Sequence, residues 1–301
     1  NFFELFFWGA FVLCFIALFP NFFLSLNKTF NTILLFLPFV LFLFFFNRKF
    51  IKDAFLLSIP ISLLFVLTIS FDGTYRPDAG SYHLPFISIL NENKILIGIN
   101  NIHFRFGHTS IIQYLSSIYN NYIFDEKGIS IPLGLIFCNF VGYCLRELNN
   151  VKNSKEHKIL VFLFLSFVLF RVNRYSDFGN DAPANLIFFY LILESVKNND
   201  NLLKIKKTVF ASTFIFLNKV TLLLAFLVPI YFILKTKNLK NIINKVSLLS
   251  VVFILLFSGK NILVSGCVIF PIEQTCLKNL YWYDSDSNRG SNALKARLEN
   301  E

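Results

Sequence analysis

The chain has 301 residues, of which 55% are hydrophobic and only 15% are charged, against about 25% charged residues in ordinary soluble domains. Phe alone contributes 41 residues, and the mean hydropathy is +0.60. This composition excludes a disordered chain, a fibrous repeat and a soluble globular domain, whose core could not hide so much apolar surface. The net charge of +10 does not indicate nucleic acid as a partner, because the cations cluster between apolar runs. We therefore predict an integral membrane protein whose first partner is the lipid bilayer.

Nine uncharged, apolar stretches follow one another along the chain. They lie at 5–27, 29–47, 54–71, 128–145, 159–170, 182–193, 208–218, 220–234 and 246–259. A hydrocarbon core about 30 Å thick needs roughly 20 helical residues, which the first four stretches supply or nearly supply. The later stretches are shorter and need flanking Lys or Arg side chains that extend to the interface. The pattern predicts an all-α polytopic transmembrane fold with about nine spans.

Lys219 separates two of these stretches. Residues 208–218 and 220–234 meet at Asn218-Lys219, which predicts a tight helical hairpin or a broken helix with Lys219 at its tip. A lysine buried at the centre of a bilayer costs about 2.5–3.5 kcal/mol. Two interpretations of Lys219 remain: its side chain extends to the interface as a snorkelling lysine, or it binds an anionic group there.

Lys and Arg residues are concentrated in four short segments. These segments, at 48–53, 146–158, 197–207 and 235–245, hold 15 of the 28 Lys and Arg residues and only four acids. The positive-inside rule places them in the cytoplasm, which puts the N-terminus inside. All four segments can lie on the cytoplasmic side only if 104–124 does not cross the membrane. This polar segment is therefore predicted to form an amphipathic helix that lies on or dips into the outer interface.

This topology divides the chain into a transmembrane domain at 1–283 and a polar segment at 284–301. The loops predicted on the outer side are 72–128, 172–182 and 259–283. Because the sequence starts at Asn1 and contains no Met, we expect it to be a piece of a longer chain, in which 284–301 begins a further outer segment.

Cys267 and Cys276 differ from the other three cysteines, which lie in apolar stretches. Both fall in the outer loop GCVIFPIEQTC, on the side of the membrane where disulfides form. A disulfide between them would restrict the unfolded chain by roughly 2.5–3 kcal/mol in the entropy model. The alternative is two unrelated thiols. The sequence has no C-x-x-C pair or other Cys/His spacing typical of a metal site.

Acidic and basic residues crowd into the outer loops. Within 72–108, about thirty residues contain Asp78, Tyr82, His83, His103, Arg105 and His108. The next loop, RVNRYSDFGNDAPAN, adds Arg171, Arg174, Asp177 and Asp181. Such convergence at one membrane face indicates a site for an ion, a sugar or a phosphate group. The alternative is a set of solvated loop charges. His83 and His103 could bind a metal, although no third ligand follows at a suitable spacing.

One protein family carries similar motifs. The sequence Asp-Ala-Gly-Ser-Tyr-His-Leu-Pro at 78–85 resembles the first outer-loop signature of bacterial multi-pass GT-C-type glycosyltransferases. The later His-Phe-Arg-Phe-Gly at 103–107, with Ser110 and Gln113, resembles it too. In this chain the acidic loop follows the third apolar stretch rather than the first, and the adjacent pair of acids found in many relatives is missing.

The resemblance continues beyond that loop. Leu-Asn-Lys at 217–219 and the Leu-rich segment ending at Pro229 are similar to the Lys-containing helical hairpin of the family. The stretch 261–271, with its Asn, Gly and Pro, is similar to the family's outer turn. The motifs cover roughly 54–275. The resemblance implies a GT-C-like fold in the bacterial inner (cytoplasmic) membrane, with the active face outside.

The resemblance also implies a reaction, the transfer of a sugar from a polyprenyl-phosphate carrier to a glycan or lipid acceptor. An acceptor hydroxyl needs a base, and Asp78 is the candidate catalytic residue. The departing phosphate needs cations, for which Arg105, Arg174 and Lys219 are candidates. The remaining candidates for substrate binding are Tyr82, His83 and His103. The enzymatic assignment is a hypothesis, and the sugar is not specified.

Two residues of the second outer loop have a further possible role. Asp177 and Asp181 could hold a divalent cation, Mg²⁺ or Mn²⁺, that bridges phosphate oxygens. Alternatively, Asp181 caps the helix that starts at Ala182-Pro183. For the whole chain, two other functions stand beside glycosyl transfer: a polymerase or ligase of surface glycans with another fold, and a polytopic transporter. A transporter should show charges at mid-span and inverted repeats, and the sequence shows neither.

Overall fold

A computed structural model describes residues 2–45, 48–70, 78–171, 178–197, 201–236 and 244–285. Within these ranges the chain is helical and contains no β-strand beyond one isolated bridge at Cys267 and Cys276. The α-helices are α1 Phe2–Asn21, α2 Lys28–Phe45, α3 Arg48–Ser70, α4 Leu84–Glu92, α5 Ile111–Tyr119, α6 Ile131–Asn149, α7 Lys155–Phe170, α8 Asp181–Val196, α9 Asn201–Asn218, α10 Leu227–Thr236 and α11 Lys245–Ser265. Shorter helical turns lie at Ala79–His83, Ile99–Asn101, Phe104–Gly107, Glu126–Ser130, Val220–Phe226 and Glu273–Thr275. The all-α prediction is confirmed.

Each of the nine apolar stretches coincides with helix in the described residues. Four helical segments there are long and apolar enough to cross a membrane: Phe2–Asn21, Lys28–Phe45, Glu126–Asn149 and Lys245–Ser265. Helices α7 and α8 have 16 residues each, which is about 24 Å at 1.5 Å per residue. They are therefore shorter than the hydrocarbon core, as the lengths of their apolar stretches predict.

Aromatic side chains join α1 to α9 and α11. The Trp8 ring stacks on Phe210 with 3.9 Å between centroids, and Phe11 packs edge-on against Phe210, Phe214 and Phe253 at 4.9–5.8 Å. Edge-to-face and offset pairs are the arrangements that aromatic rings favour. The abundant Phe of this sequence thus forms the contacts between three of the longest helices.

Helices α9 and α10 form the predicted hairpin. Helix α9 ends at Asn218, and Lys219 adopts an extended backbone with φ −148° and ψ 100°. The 3₁₀ turn Val220–Phe226 then returns along α9, where the Ser212 hydroxyl donates a hydrogen bond to the Ala225 carbonyl at 2.8 Å. Because Lys219 occupies the reversal, its side chain is presented at one end of the helices.

The segment 104–124 differs from its prediction. It does not form an amphipathic surface helix: α5 has only nine residues, and Ile111–Ile118 are all buried. Several of the polar side chains that favour a water-facing helix have partners inside the protein instead. Asn120 Nδ2 donates to Asn91 Oδ1 at 3.0 Å, and Ser117 Oγ donates to the Tyr114 carbonyl at 2.8 Å. Helix α5 therefore packs among α1, α2, α4 and α6 and is not exposed on the protein surface.

Buried ion pairs gather at the opposite end of the helices from Lys219. Lys207 Nζ contacts Glu4 and lies 2.8 Å from Glu194 Oε2, while Lys197 Nζ lies 2.8 Å from Glu147 Oε2. These five residues, which we call the basal cluster, come from α1, α6, α8, α9 and the residue after α8. The basal cluster ties together helix ends from two of the Lys- and Arg-rich segments, 146–158 and 197–207, and from the N-terminal helix.

Candidate functional site

A cavity of about 610 Å³ lies at the end of the helices that carries Lys219. Its walls come from the start of the hairpin, the end of α11 and three loops. The lining residues are Tyr82, Phe104, Arg105, Gly107, His108, Thr109, Asn180, Asn218, Lys219, Val220, Thr221, Leu223, Phe257, Asn261, Phe270, Pro271 and Ile272. Segments from all three predicted outer loops thus meet at one cavity. Its lining joins cations and amides to aromatic and aliphatic surface.

Two ion pairs flank this cavity. Arg105 Nη1 lies 3.1 Å from Asp78 Oδ1, and Lys219 Nζ lies 2.6 Å from Asp181 Oδ1. The side chains are part-exposed, from 33% for Arg105 to 61% for Asp78, so each pair contributes little to stability. Their geometry brings a carboxylate and a cation together at two places beside the cavity, where the cations line the wall and the carboxylates lie next to them. This is the combination that proton transfer and phosphate binding require.

Tyr82 connects the first pair to the protein interior. Its ring lies 5.0 Å from the guanidinium carbon of Arg105 and is buried. Burial and the neighbouring Asp78 carboxylate both raise the pKa of the Tyr82 hydroxyl. The hydroxyl therefore stays protonated near neutral pH and can donate a hydrogen bond to a ligand.

His83 lies behind the cavity wall with a defined tautomer. Gln113 Oε1 accepts a hydrogen bond from the Ser110 backbone N–H at 2.8 Å, so Gln113 Nε2 is the donor to His83 Nδ1 at 3.1 Å. Burial lowers the pKa of His83 to about 4. The imidazole is consequently neutral at pH 7 and carries its proton on Nε2, which faces Gly179.

The other two histidines of the loop occupy different environments. His103 packs against Phe104 and Phe106 and does not line the cavity, whereas His108 lines it and packs edge-on against Phe270 at 4.8 Å. Burial and the Arg105 charge lower the pKa of both imidazoles. Neither His83 nor His103 lines the cavity, and no group of three or more His, Cys, Asp or Glu side chains in the described ranges could hold a metal ion.

Asp181 is the first residue of α8 rather than its cap. Asn180 occupies the cap position and makes no side-chain capping bond, while the Asp181 carboxylate accepts from Lys219. The capping alternative is therefore wrong. Arg174 and Asp177 lie outside the described residues, so their predicted roles in substrate and metal binding stay predictions. The divalent cation stays a prediction for the same reason.

Asn218 holds the hairpin against the outer loop, a role that sequence analysis missed. Its Oδ1 accepts hydrogen bonds from the Ser110 hydroxyl at 3.0 Å and from the Ile112 backbone N–H at 3.2 Å. Its backbone carbonyl accepts from Asn180 Nδ2 at 3.3 Å. Asn218 is 2% exposed. The signal was its position beside Lys219, since an amide at the tip of an apolar hairpin needs partners.

Lys260 is the second residue that sequence analysis missed. It follows the apolar stretch 246–259 directly and lies one turn before the end of α11, where it is fully buried. Its Nζ contacts Thr109 Oγ1 and lies 4.0 Å from the centre of the Phe257 ring. Thr109 and Phe257 both line the cavity, so Lys260 lies immediately behind its wall.

Cys267 and Cys276 lie at disulfide distance, as predicted. The bond closes the loop whose residues Phe270, Pro271 and Ile272 form one wall of the cavity. The loop is held further by the Thr275 hydroxyl, which donates to the Ile269 carbonyl at 3.0 Å. The remaining cysteines, Cys14, Cys138 and Cys144, are buried and form no disulfide.

Fold and site together define an all-α protein with long apolar helices and a polar cavity at one end. A family model described as a domain of unknown function (DUF8201) matches residues 1–287, and the chain belongs to this family. A search of curated proteins found no match. A search of solved structures found none either.

Proposed function

We propose that this chain is an integral protein of the bacterial inner membrane with about nine spans and its N-terminus in the cytoplasm. Support comes from the lengths of four apolar helices and from the ion pairs of the basal cluster. Two of the four Lys- and Arg-rich segments, 146–158 and 197–207, contribute residues to that cluster. The cavity lies at the opposite end, which the positive-inside rule assigns to the outer face.

We further propose that the cavity binds a polyprenyl-phosphate-linked sugar and transfers the sugar to a glycan or lipid acceptor. The observation that carries this proposal is the meeting of two acid–base pairs with exposed apolar surface. Leu223 lines the cavity and is 47% exposed, and Leu224 and Leu227, next to it on the hairpin, are 74% and 59% exposed. A lipid carrier needs such a surface beside the charges that receive its phosphate.

The proposed chemistry uses the two pairs differently. Asp78 accepts the proton of the acceptor hydroxyl while the acceptor oxygen bonds to the anomeric carbon of the sugar. The bond from that carbon to the carrier phosphate breaks, and the phosphate leaves with the electron pair. Lys219 and Arg105 then stabilise the negative charge on the departing phosphate. Tyr82 contacts the sugar through its protonated hydroxyl.

Substitution of Asp78 tests the proposal. Asp78→Asn removes the base, and we expect transfer of radiolabelled sugar from membrane lipid to acceptor to fall by about 10²–10⁴-fold. Asp78→Glu retains a carboxylate beside Arg105 and should keep more activity than Asp78→Asn. A matched control is Asp125→Asn, which removes an exposed carboxylate paired with Lys28. Protein amounts and detergent chromatography verify folding.

Substitution of Lys219 provides the second arm. Lys219→Ala should weaken donor binding or slow departure of the phosphate, and Lys219→Arg should restore part of the loss because the charge remains. Full activity of Asp78→Asn would remove Asp78 from the mechanism. Uptake of a substrate by wild-type vesicles without any sugar transfer would instead favour the transporter.

A further inference from the structure

Two of the three cations predicted to bind phosphate have carboxylate partners, and the third, Arg174, lies outside the described residues. Arg105 is paired with Asp78 and Lys219 with Asp181. An anion that enters the cavity must therefore compete with a carboxylate at either place. A cation without such a partner would bind the same anion with less competition.

Lys260 meets this condition within the part of the chain that the structure describes. Its contacts there are the neutral Thr109 hydroxyl and the face of the Phe257 ring. Lys260 is 0% exposed and Thr109 is 7% exposed. A buried ammonium that lacks a counter-ion is unfavourable, and an anion close to it lowers that cost.

The hydrogen-bond roles at Thr109 indicate where such an anion would bind. An ammonium group has donors and no acceptor, so Thr109 Oγ1 must accept from Lys260. The Thr109 hydroxyl proton is then free to donate elsewhere, and no described residue accepts it. Thr109 lines the cavity, so its hydroxyl can donate to a ligand oxygen there.

We propose that Thr109 and Lys260 form the phosphate-recognition pair of the cavity. Thr109 donates a hydrogen bond to a phosphate oxygen of the ligand, and Lys260 is a positioning residue that orients the hydroxyl and compensates the charge. The proposal deepens the proposed function and rests on it where the phosphate is taken to belong to a lipid carrier. The shared chemistry is a phosphate or diphosphate anion, whether free or attached to lipid.

Binding measurements on the full chain in dodecyl maltoside test this pair. Three probes separate the sources of the anion: inorganic pyrophosphate, a polyprenyl monophosphate, and the uncharged polyprenol of the same length. The variants are Lys260→Met, Thr109→Val and the two combined. Lys278→Met is the matched control, because Lys278 is exposed and paired with Glu273.

Each single variant should weaken binding of the polyprenyl monophosphate by about 10–100-fold, the range for a hydrogen bond to a charged group. The affinity of the double variant for the polyprenyl monophosphate should be close to that of whichever single variant binds it less tightly, because the two residues act as one unit. The variants should bind polyprenol as the wild type does. Lys278→Met should bind the polyprenyl monophosphate as tightly as the wild type. If Lys260→Met fails to fold, Thr109→Val alone still tests the pair, since it keeps the side-chain volume and removes only the hydroxyl.

The remaining outcomes distinguish the two proposals. The wild type could bind the polyprenyl monophosphate more tightly than polyprenol while Thr109→Val binds the monophosphate as tightly as the wild type does. That result would overturn the recognition pair and retain the lipid-carrier function. The wild type could instead bind pyrophosphate but show no preference for the polyprenyl monophosphate over polyprenol, while Lys260→Met and Thr109→Val both lose pyrophosphate binding. That result would support the pair and overturn the lipid carrier. Absence of any phosphate-dependent binding by the wild type would overturn both.

Discussion

Buried amides show how single residues shape the site end of this protein. Asn31 Nδ2 lies 2.6–2.9 Å from the carbonyl oxygens of Leu26, Ser117 and Asn120. Asn218 likewise joins the hairpin to the start of α5. An unpaired polar group in a buried position costs about 1–3 kcal/mol, so these bonds decide which loops can approach each other. The cavity depends on them because its walls come from separate parts of the chain.

His83 gives a pH-dependent prediction at this scale. Its pKa is about 4 in the folded protein against 6.5 ordinarily, so between these values the unfolded chain binds a proton that the folded protein does not. Neutral His83 therefore makes its full contribution to the free energy of unfolding above pH 6.5. This contribution, about 3 kcal/mol in total, is lost as the pH falls to about 4.

We expect the apparent unfolding temperature in detergent to fall between pH 7 and pH 4.5. The fall should be smaller in His83→Gln, and the difference between the two proteins isolates His83 from His103 and His108, whose pKa values are lowered too. Intrinsic fluorescence during heating provides the measurement. Identical pH profiles for wild type and variant would contradict the buried neutral imidazole.

At the scale of the elements, the basal cluster fixes the helix ends away from the cavity. Lys207 bridges carboxylates on α1 and α8, and the Tyr190 hydroxyl donates to Glu4 Oε1 at 3.1 Å. A second tyrosine, Tyr143, donates to Glu194 Oε1 at 2.7 Å. Charges buried in this way are stable only when each is paired and hydrogen-bonded. The cluster thus depends on simultaneous placement of several helices.

Lys207→Met should destabilise the protein strongly. The substitution removes the cation that Glu4 and Glu194 share, and loss of one partner of a buried ion pair costs about 3–5 kcal/mol. Lys278→Met, which breaks an exposed pair, should cost at most about 1 kcal/mol. Loss of helical signal in increasing dodecyl sulfate gives the comparison.

A second substitution tests the reason for that loss. Glu4→Gln in the Lys207→Met background removes one of the two carboxylate charges that Lys207 had neutralised and should recover part of the stability. No recovery in the double variant would mean that Lys207 acts through packing of its aliphatic stem rather than through charge.

At the scale of the whole molecule, the two polar ends predict the orientation in the membrane. Val151, between α6 and α7, is 91% exposed at the basal end, and Tyr281 is 86% exposed near the cavity end. The positive-inside rule places the first in the cytoplasm and the second outside. These two positions are therefore suited to a direct test of topology.

Single cysteines at the two positions should react differently with a membrane-impermeant maleimide added to intact cells. We expect labelling of Tyr281→Cys and no labelling of Val151→Cys until the cells are opened. Background is low because Cys14, Cys138 and Cys144 are buried and the other two cysteines are at disulfide distance from each other. Labelling of Val151→Cys in intact cells would reverse the orientation and place the cavity in the cytoplasm.

Local properties of the sequence determined the helical part of this protein. An uncharged apolar run is visible without knowledge of its neighbours, and each such run coincides with helix in the described residues. The hairpin reversal at Lys219 and the pairing of Cys267 with Cys276 were predictable for the same reason, since they depend on residues close together in the chain. Spacing and composition suffice where the interacting groups are near neighbours.

Tertiary structure decided the contacts between distant residues. Arg105 and Asp78 are 27 positions apart, Lys219 and Asp181 are 38 apart, and Lys260 and Thr109 are 151 apart. The burial of α5 belongs to the same class, because its polar side chains favour water unless other segments supply their hydrogen bonds. Sequence shows which side chains need a partner, whereas only the packing of the helices shows which partner comes within reach, because that distance depends on every element between them.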